Sequence, residues 1–502
     1  MAKLRLPRLV YNWISGAGAA LASVMAVTGL VLLIVSFGFE SESNPYFGIF
    51  LYMVIPTILV AGLLLIPIGM FIEWRRWKKH GEQELPSWPR IDFNRSSHRN
   101  AAIIFIVGTI IFAALSSVGS YRAYHYSESV EFCGTTCHQV MSPEYTTYQH
   151  SPHARVKCAE CHIGEGADWF VKSKLSGAYQ IYAVIANVYP RPIPTPIENL
   201  RPAEETCEKC HWPQKKYGAT QRTFHHTKYD EENTHWPIEM LLRTDEVATG
   251  LKEGPVIHWH INAEVEYVAT DEQRMEIPWV RVTDPETGLV TVYEDENNPI
   301  SEEELAQEEI RTMDCMDCHN RPSHNYESPD GAVDQMFLEG LLDRGLPSIK
   351  RIAVNAISEE YESEEAAMEG IEEYVLAAYR EEYPDLVESD FEAVQQGIQG
   401  TQEAYRRNIF PYMKANWSVY PEHIGHFETP GCMRCHNGSH VSEAGEIIKN
   451  GCNVCHVIIA QGPGQGVEIA SLEEGARFRH PEDIGEMWTE IGCWECHTGT
   501  QP

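Results

Sequence analysis

The sequence predicts three N-terminal transmembrane helices followed by a loop-rich, mainly α domain on one side of the bilayer, with a small β-hairpin inserted in it. Two observations carry that prediction. Three uncharged runs lie within the first 121 residues, and all 14 cysteines of the 502-residue chain lie after them, in seven short motifs of one type. Composition removes two other classes. With 43% hydrophobic and 22% charged residues the chain is no disordered tail. Its formal charge of −33 has the wrong sign for a nucleic-acid binder, which needs a basic stripe to displace counterions from phosphate.

The uncharged runs are residues 9–39, 43–72 and 100–121. A helix needs ~20 apolar residues to cross the hydrocarbon core, so all three are long enough. Globular core helices are shorter, and a signal-peptide apolar region spans only ~7–15 residues. Pro56 and Pro67 are expected to kink the second. Lys3, Arg5 and Arg8 precede the first run, the first loop carries Glu40 and Glu42, and the second loop holds Arg75, Arg76, Lys78, Lys79, Arg90, Arg95 and Arg99. The positive-inside rule then puts the N-terminus and second loop in the cytoplasm. This makes a multi-pass protein of the inner membrane, residues 1–121 its anchor, with everything after the third helix in the periplasm.

Six periplasmic motifs read Cys-x-x-Cys-His: Cys158/Cys161/His162, Cys207/Cys210/His211, Cys315/Cys318/His319, Cys432/Cys435/His436, Cys452/Cys455/His456 and Cys493/Cys496/His497. A seventh, Cys133/Cys137/His138, has one more residue between its cysteines. This spacing signals c-type haem attachment, in which both thiols form thioethers and the adjacent histidine reaches the iron. Zinc would take cysteines in pairs of pairs and would not require a histidine after every second one. The chain therefore reads as a membrane-anchored multihaem cytochrome c with seven haem c. About 54 residues per haem is too little for separate domains, so the haems must form much of the core. None of the three membrane runs contains a histidine, which excludes a haem held inside the bilayer.

Thirteen periplasmic histidines lie outside the motifs, enough for six-coordinate iron almost everywhere. Iron with two protein ligands has no open site and suits electron transfer. His153, His324 and His440, each within a few residues of a motif, are the first candidates for the second ligand. His258 and His260 alternate about Trp259 as on one face of a strand.

The first motif begins 11 residues after the third membrane run and continues into Gln139-Val140-Met141, so its haem is expected at the bilayer surface. Methionine is an alternative axial ligand that raises the potential. A membrane helix leading straight into this motif, Ser151-Pro-His153 before Cys158, Trp169-Phe-Val-Lys172-Ser-Lys174 and Thr206-Cys-Glu-Lys-Cys-His-Trp-Pro213 together resemble the NapC/NirT family of membrane-anchored quinol dehydrogenases, over residues 101–218. The whole layout resembles more closely still the ImcH-type inner-membrane heptahaem cytochromes of metal-reducing bacteria.

The resemblance implies that menaquinol is the substrate and periplasmic c-type cytochromes are the partners, in an anaerobic respiration that reaches extracellular acceptors. It also implies catalytic roles for Lys172, Lys174 and Met141. Family members commonly place the methionine two residues after the histidine, with a two-residue cysteine gap. Both spacings are one longer here, so the choice between Met141 and His138 stays open. Small relatives also use an acidic residue two turns beyond the lysine, and residues 175–197 contain none.

Residues 122–220 form the family-like part with haems 1–3, and residues 221–502 an extension with haems 4–7. Within the extension, residues 262–299 alternate as strands, with a turn at Asp284-Pro-Glu-Thr-Gly288. Ser301…Glu304 is a capping box, and residues 331–408 are helical and acidic. Residues 1–121 carry a net +4 and the remainder −37, an acidic face that would steer a basic partner. Two other readings remain: an anchored relay without its own quinol site, and a terminal reductase with a five-coordinate haem. A homo-oligomer is left open.

Overall fold

A computed structural model describes residues 8–10, 12–38, 54–79, 92–136, 138–163, 167–195, 201–212, 219–244, 256–284, 287–471 and 474–500. It falls into two compact units, Met1–His138 and Gln139–Pro502.

In the first unit, helices α1 (Trp13–Gly38), α2 (Ile55–Lys79) and α3 (Ser96–Ser127) are each long and apolar enough to cross a membrane. Residues 43–53 of the second predicted run lie outside the described residues. Pro56 sits in the first turn of α2, where its missing N–H is no loss, and Pro67 lies inside the helix without ending it. Small residues let α1 and α2 pass closely, as membrane helices require in the absence of a hydrophobic drive. A Cβ on Gly18 would stand 2.6 Å from the Gly62 carbonyl oxygen, and one on Gly62 would stand 2.8 Å from the Ala22 nitrogen. The Ser15 hydroxyl donates across this contact to the Ile66 carbonyl at 2.9 Å.

The second unit contains α5 (Gln139 onward in the helix His138–His150), α6 (Cys158–His162) and α7 (Ala167–Ala186), preceded in the first unit by the short α4 (Val130–Thr135). Two antiparallel sheets follow. Strands β1 (Thr220–Thr227), β2 (His235–Leu242), β8 (His456–Gln461) and β9 (Glu468–Ile469) form one in that order. The other has the order β6-β3-β4-β5-β7, from β3 (Glu264–Val268), β4 (Trp279–Thr283), β5 (Val290–Asp295), β6 (Arg311–Thr312) and β7 (His440–Ser442). The hairpin expected over 262–299 is β4–β5, closed where Gly288, at φ 69°, returns its N–H to the Asp284 carbonyl.

Sheet content exceeds the sequence expectation of one small hairpin. The β1 segment, Thr-Gln-Arg-Thr-Phe-His-His-Thr, lacks apolar alternation because it is an edge strand, and β8 starts on the histidine of a haem motif.

Between the fourth and fifth motifs, helices α8 (Pro329–Glu339), α9 (Ile349–Ser358), α10 (Glu364–Glu382), α11 (Pro384–Ser389) and α12 (Phe391–Asn408) enclose a core of their own. Its twenty buried members, from Ala332 to Tyr405, all come from these helices and their connections. Lys350 is fully buried and reaches the carboxylates of Asp330 and Asp334 at 2.8 and 2.9 Å, so its charge is paired as burial demands.

Candidate haem-binding core

Six motifs fold locally in one way, as a single turn of α- or 3-10 helix. Residues i and i+3 of such a turn are neighbours on one side, so the two thiols of each motif point together. The following histidine closes the turn. His211, His319 and His497 donate their amides to the carbonyl of the first cysteine of their motif at 2.8 Å, and His436 does so at 3.2 Å. Cys137 lies outside the described residues, and so does the side chain of His138. Every described cysteine is a free thiol, and thirteen are described.

In the second unit these turns open onto one continuous cavity of about 4700 Å³, lined by eleven motif cysteines. Small-molecule pockets run to about 1,000 Å³, so this space takes several large groups rather than one. Apolar packing beside it is slight. The clusters behind the five-stranded and four-stranded sheets have five and three buried members.

The fourth motif is tied to its sheet by a buried carboxylate. Asp317, inside the Cys315–Cys318 turn, accepts from Tyr267 Oη at 2.6 Å, Arg274 at 3.0 Å and Arg311 at 2.5 Å, and its other oxygen accepts the Asp314 amide at 2.6 Å. These donors hold its pKa below the usual carboxylate range although burial opposes them.

Five of the six motif histidines whose side chains are described have a second histidine ring near them. Ring centres are 6.3 Å apart for His162 and His324, 6.0 Å for His211 and His153, and 5.7 Å for His436 and His260. They are 6.1 Å apart for His456 and His426, and 6.0 Å for His497 and His480. Of the histidines that act electrostatically on His319, which are His258, His211 and His153, His258 acts most strongly. Burial lowers the basicity of His162, His319 and His436, and pushes His456 down to about 4, so these rings are neutral and keep a lone pair at neutral pH.

His440 does not belong with them. It lies in β7, paired with Asp295 of β5, and is fully buried. Its Nε2 is bonded to the Ile277 carbonyl at 2.7 Å and its Nδ1 to Asn437 Oδ1 at 2.9 Å, which leaves no nitrogen for iron. Nearness in sequence to Cys435 misled, because the strand turns the ring into the sheet. His423 likewise has a carbonyl oxygen within 3.1 Å of each nitrogen, those of Asp317 and Gln273, and as a neutral ring it donates to one of them. His258 and His260 share no strand: Trp259–Asn262 is one helical turn. His426 and His480 carried no signal of spacing.

Lys172 is exposed on α7, and Met141 is half-buried on α5. The side chain of Lys174 lies outside the described residues. Helix α7 is apolar and exposed: Leu175, Tyr179, Tyr182 and Ile185 show 69%, 65%, 60% and 81% of their surface, while Ala183 is its one buried residue among those described.

The family pattern described as "NapC/NirT cytochrome c family, N-terminal region" matches residues 95–192. Among curated proteins, the cytochrome c-type protein ImcH of Geobacter sulfurreducens is 42% identical over 492 residues, covering 97% of this chain and 95% of that protein. The chain belongs to the NapC/NirT cytochrome c family. A second relative, the cytochrome c-type protein NrfH of Wolinella succinogenes, is 29% identical over 115 residues, which is 22% of this chain and 63% of that protein. No solved structure matches.

As a c-type cytochrome it binds haem through cysteine thioethers, and its work is electron transfer from a membrane anchor. The paired thiols on single turns, the common cavity and the neutral facing imidazoles of this cytochrome fit that group.

Proposed function

We propose that the cytochrome oxidises menaquinol at the membrane surface and delivers the electrons, through seven haem c, to periplasmic c-type cytochromes in an anaerobic respiration. The observation that carries this reading is α7. It exposes an apolar, tyrosine-bearing surface beside Lys172, and residues 169–197 hold no acidic residue in a chain of net charge −33. Such a surface suits lipid and a lipid-soluble substrate rather than water.

The periplasmic orientation rests on the basic end of α2, where Arg76, Lys78 and Lys79 occupy the last turn, against the acidic first loop. Each motif supplies two thioether sulfurs and one histidine, and Met141 or His138 completes the first iron.

Quinol oxidation releases two electrons and two protons. The bound haems supply acceptance of one electron at a time. The protein's task is to hold the quinol oxygen and let the protons leave. Lys172 and Lys174, as ammonium groups, donate hydrogen bonds to that oxygen and oppose its protonation, which favours release of its proton.

The test is reduction of the holoprotein in lipid nanodiscs by a menaquinol analogue. Losing a charge-assisted hydrogen bond is worth about 1.5–3 kcal/mol, so Lys172→Ala or Lys174→Ala slows quinol-driven reduction by about tenfold or more while dithionite reduction is unchanged. Equal rates in both variants and the parent would refute the quinol site. Intact mass checks the cofactor count, at about 0.6 kDa of added group for each of seven haems.

A further inference from the structure

We propose that six irons are each held between two histidines, one from the motif and one from elsewhere in the chain: His162 with His324, His211 with His153, His319 with His258, His436 with His260, His456 with His426, and His497 with His480. The inference rests on haem attachment at the motifs and is independent of the quinol reading.

Geometry comes first. An imidazole nitrogen sits about 2.0–2.1 Å from a first-row metal and about 1.2 Å from its own ring centre, so two rings across one iron have centres about 6.4 Å apart. Five of the pairs have centres 5.7–6.3 Å apart.

Tautomers supply a separate argument. The Nδ1 of His153 bonds the Pro322 carbonyl at 3.0 Å, that of His324 the Glu144 carbonyl at 2.9 Å, that of His260 the Ile257 carbonyl at 2.7 Å, and that of His436 the Lys449 carbonyl at 2.5 Å. A carbonyl oxygen only accepts, so the proton is on Nδ1 and the lone pair on Nε2. Metal-bound imidazoles are oriented by this same backbone bond.

Elimination assigns the sixth pair. Of the cavity-lining histidines not yet used, His150 is exposed, His423 has a carbonyl oxygen at each nitrogen, His225 is bonded to His235 at 3.0 Å, and His226 packs on Phe427. His258, two residues before His260, is left beside His319.

The pairing crosses the chain. The partner of the second motif comes from just after the fourth, and that of the third from just before the second. Two neighbouring irons, the fourth and fifth, draw theirs from one turn, His258 and His260. Six irons closed on both faces leave no position for a small oxyanion, so catalysis by an open haem would be confined to the first.

Electron paramagnetic resonance and near-infrared magnetic circular dichroism of the ferric holoprotein test the map. The parent should show six low-spin bis-histidine irons. His260→Ala, His426→Ala and His480→Ala should each convert one of them to high spin with the haem count by mass unchanged, and imidazole should restore low spin. His440→Ala should leave every iron as in the parent. Full low-spin intensity in the three variants, or a high-spin iron in His440→Ala, would overturn the assignment. Failure of quinol oxidation with these spectra intact would strike the quinol reading alone. Should a variant lose haem, His260→Met, His426→Met and His480→Met keep a ligand in place and should give a histidine–methionine signal instead.

Discussion

The acidic helices α8–α12 and the motif-bearing segments around them solve the burial problem in opposite ways. The helices turn apolar stripes inward: Ile349, Val354, Ile371, Val375 and Val394 are completely buried, with Tyr379 filling the space between. The motif segments have few such residues and instead line a cavity of about 4700 Å³ with sulfur and imidazole. One region carries its core in its sequence, and the other acquires it by covalent attachment. The lesson is that apolar content alone does not show where a chain is well packed, because a porphyrin supplies the missing hydrophobic area.

Preventing haem attachment should separate the two regions most sharply. In the full-length chain made without haem ligation, the motif segments should become open to protease while a resistant fragment spanning about residues 329–408 survives. Uniform digestion would show that the helices depend on the haems. Asp317→Ala comes next. Breaking a buried ion pair costs about 3–5 kcal/mol, so denaturant should release the five-stranded sheet and the fourth haem earlier, with α8–α12 unaffected.

The same carboxylate sets a pH limit. Its pKa is held below the reference value of 3.8, so its stabilisation is present above that value and disappears as pH falls through the lower folded value. The Asp317→Asn protein should therefore lose less stability than the parent on acidification below about pH 4.

Ile371→Ala acts on the other side of the comparison. A cavity in a close-packed core costs about 2–5 kcal/mol, and far-ultraviolet dichroism should melt early while haem absorption stays fixed. The smallest effect belongs to Ser363→Ala, which removes the hydroxyl that accepts the Ala366 amide at the start of α10 and costs about 1 kcal/mol.

What the sequence discloses divides along physical lines. Membrane runs and haem motifs are local: charge-free length and a four- or five-residue spacing carry them, and Trp13–Gly38 and the Cys-x-x-Cys-His turns follow directly. The capping box at Ser301 and Glu304 is local too, and forms as spaced. The second histidine proposed for six of the irons is a tertiary matter. Sequence distance put His440 ahead of His480, but β-pairing turned the first ring inward, and His480 faces His497 across sixteen intervening residues. Sheet β1-β2-β8-β9 was hidden for a similar reason, since β2 and β8 are more than two hundred residues apart.

The turn at Trp259–Asn262 has a mechanical consequence. His258, which precedes it, and His260 leave one stretch of backbone that is shorter than a single helical pitch, so neither ring can drift without carrying the other. On the proposed pairing, vibrations that loosen distant loops would move the fourth and fifth irons in step and leave the gap between them unchanged. Tunnelling decays steeply with separation, and this hop would keep its rate while the rest of the scaffold breathes.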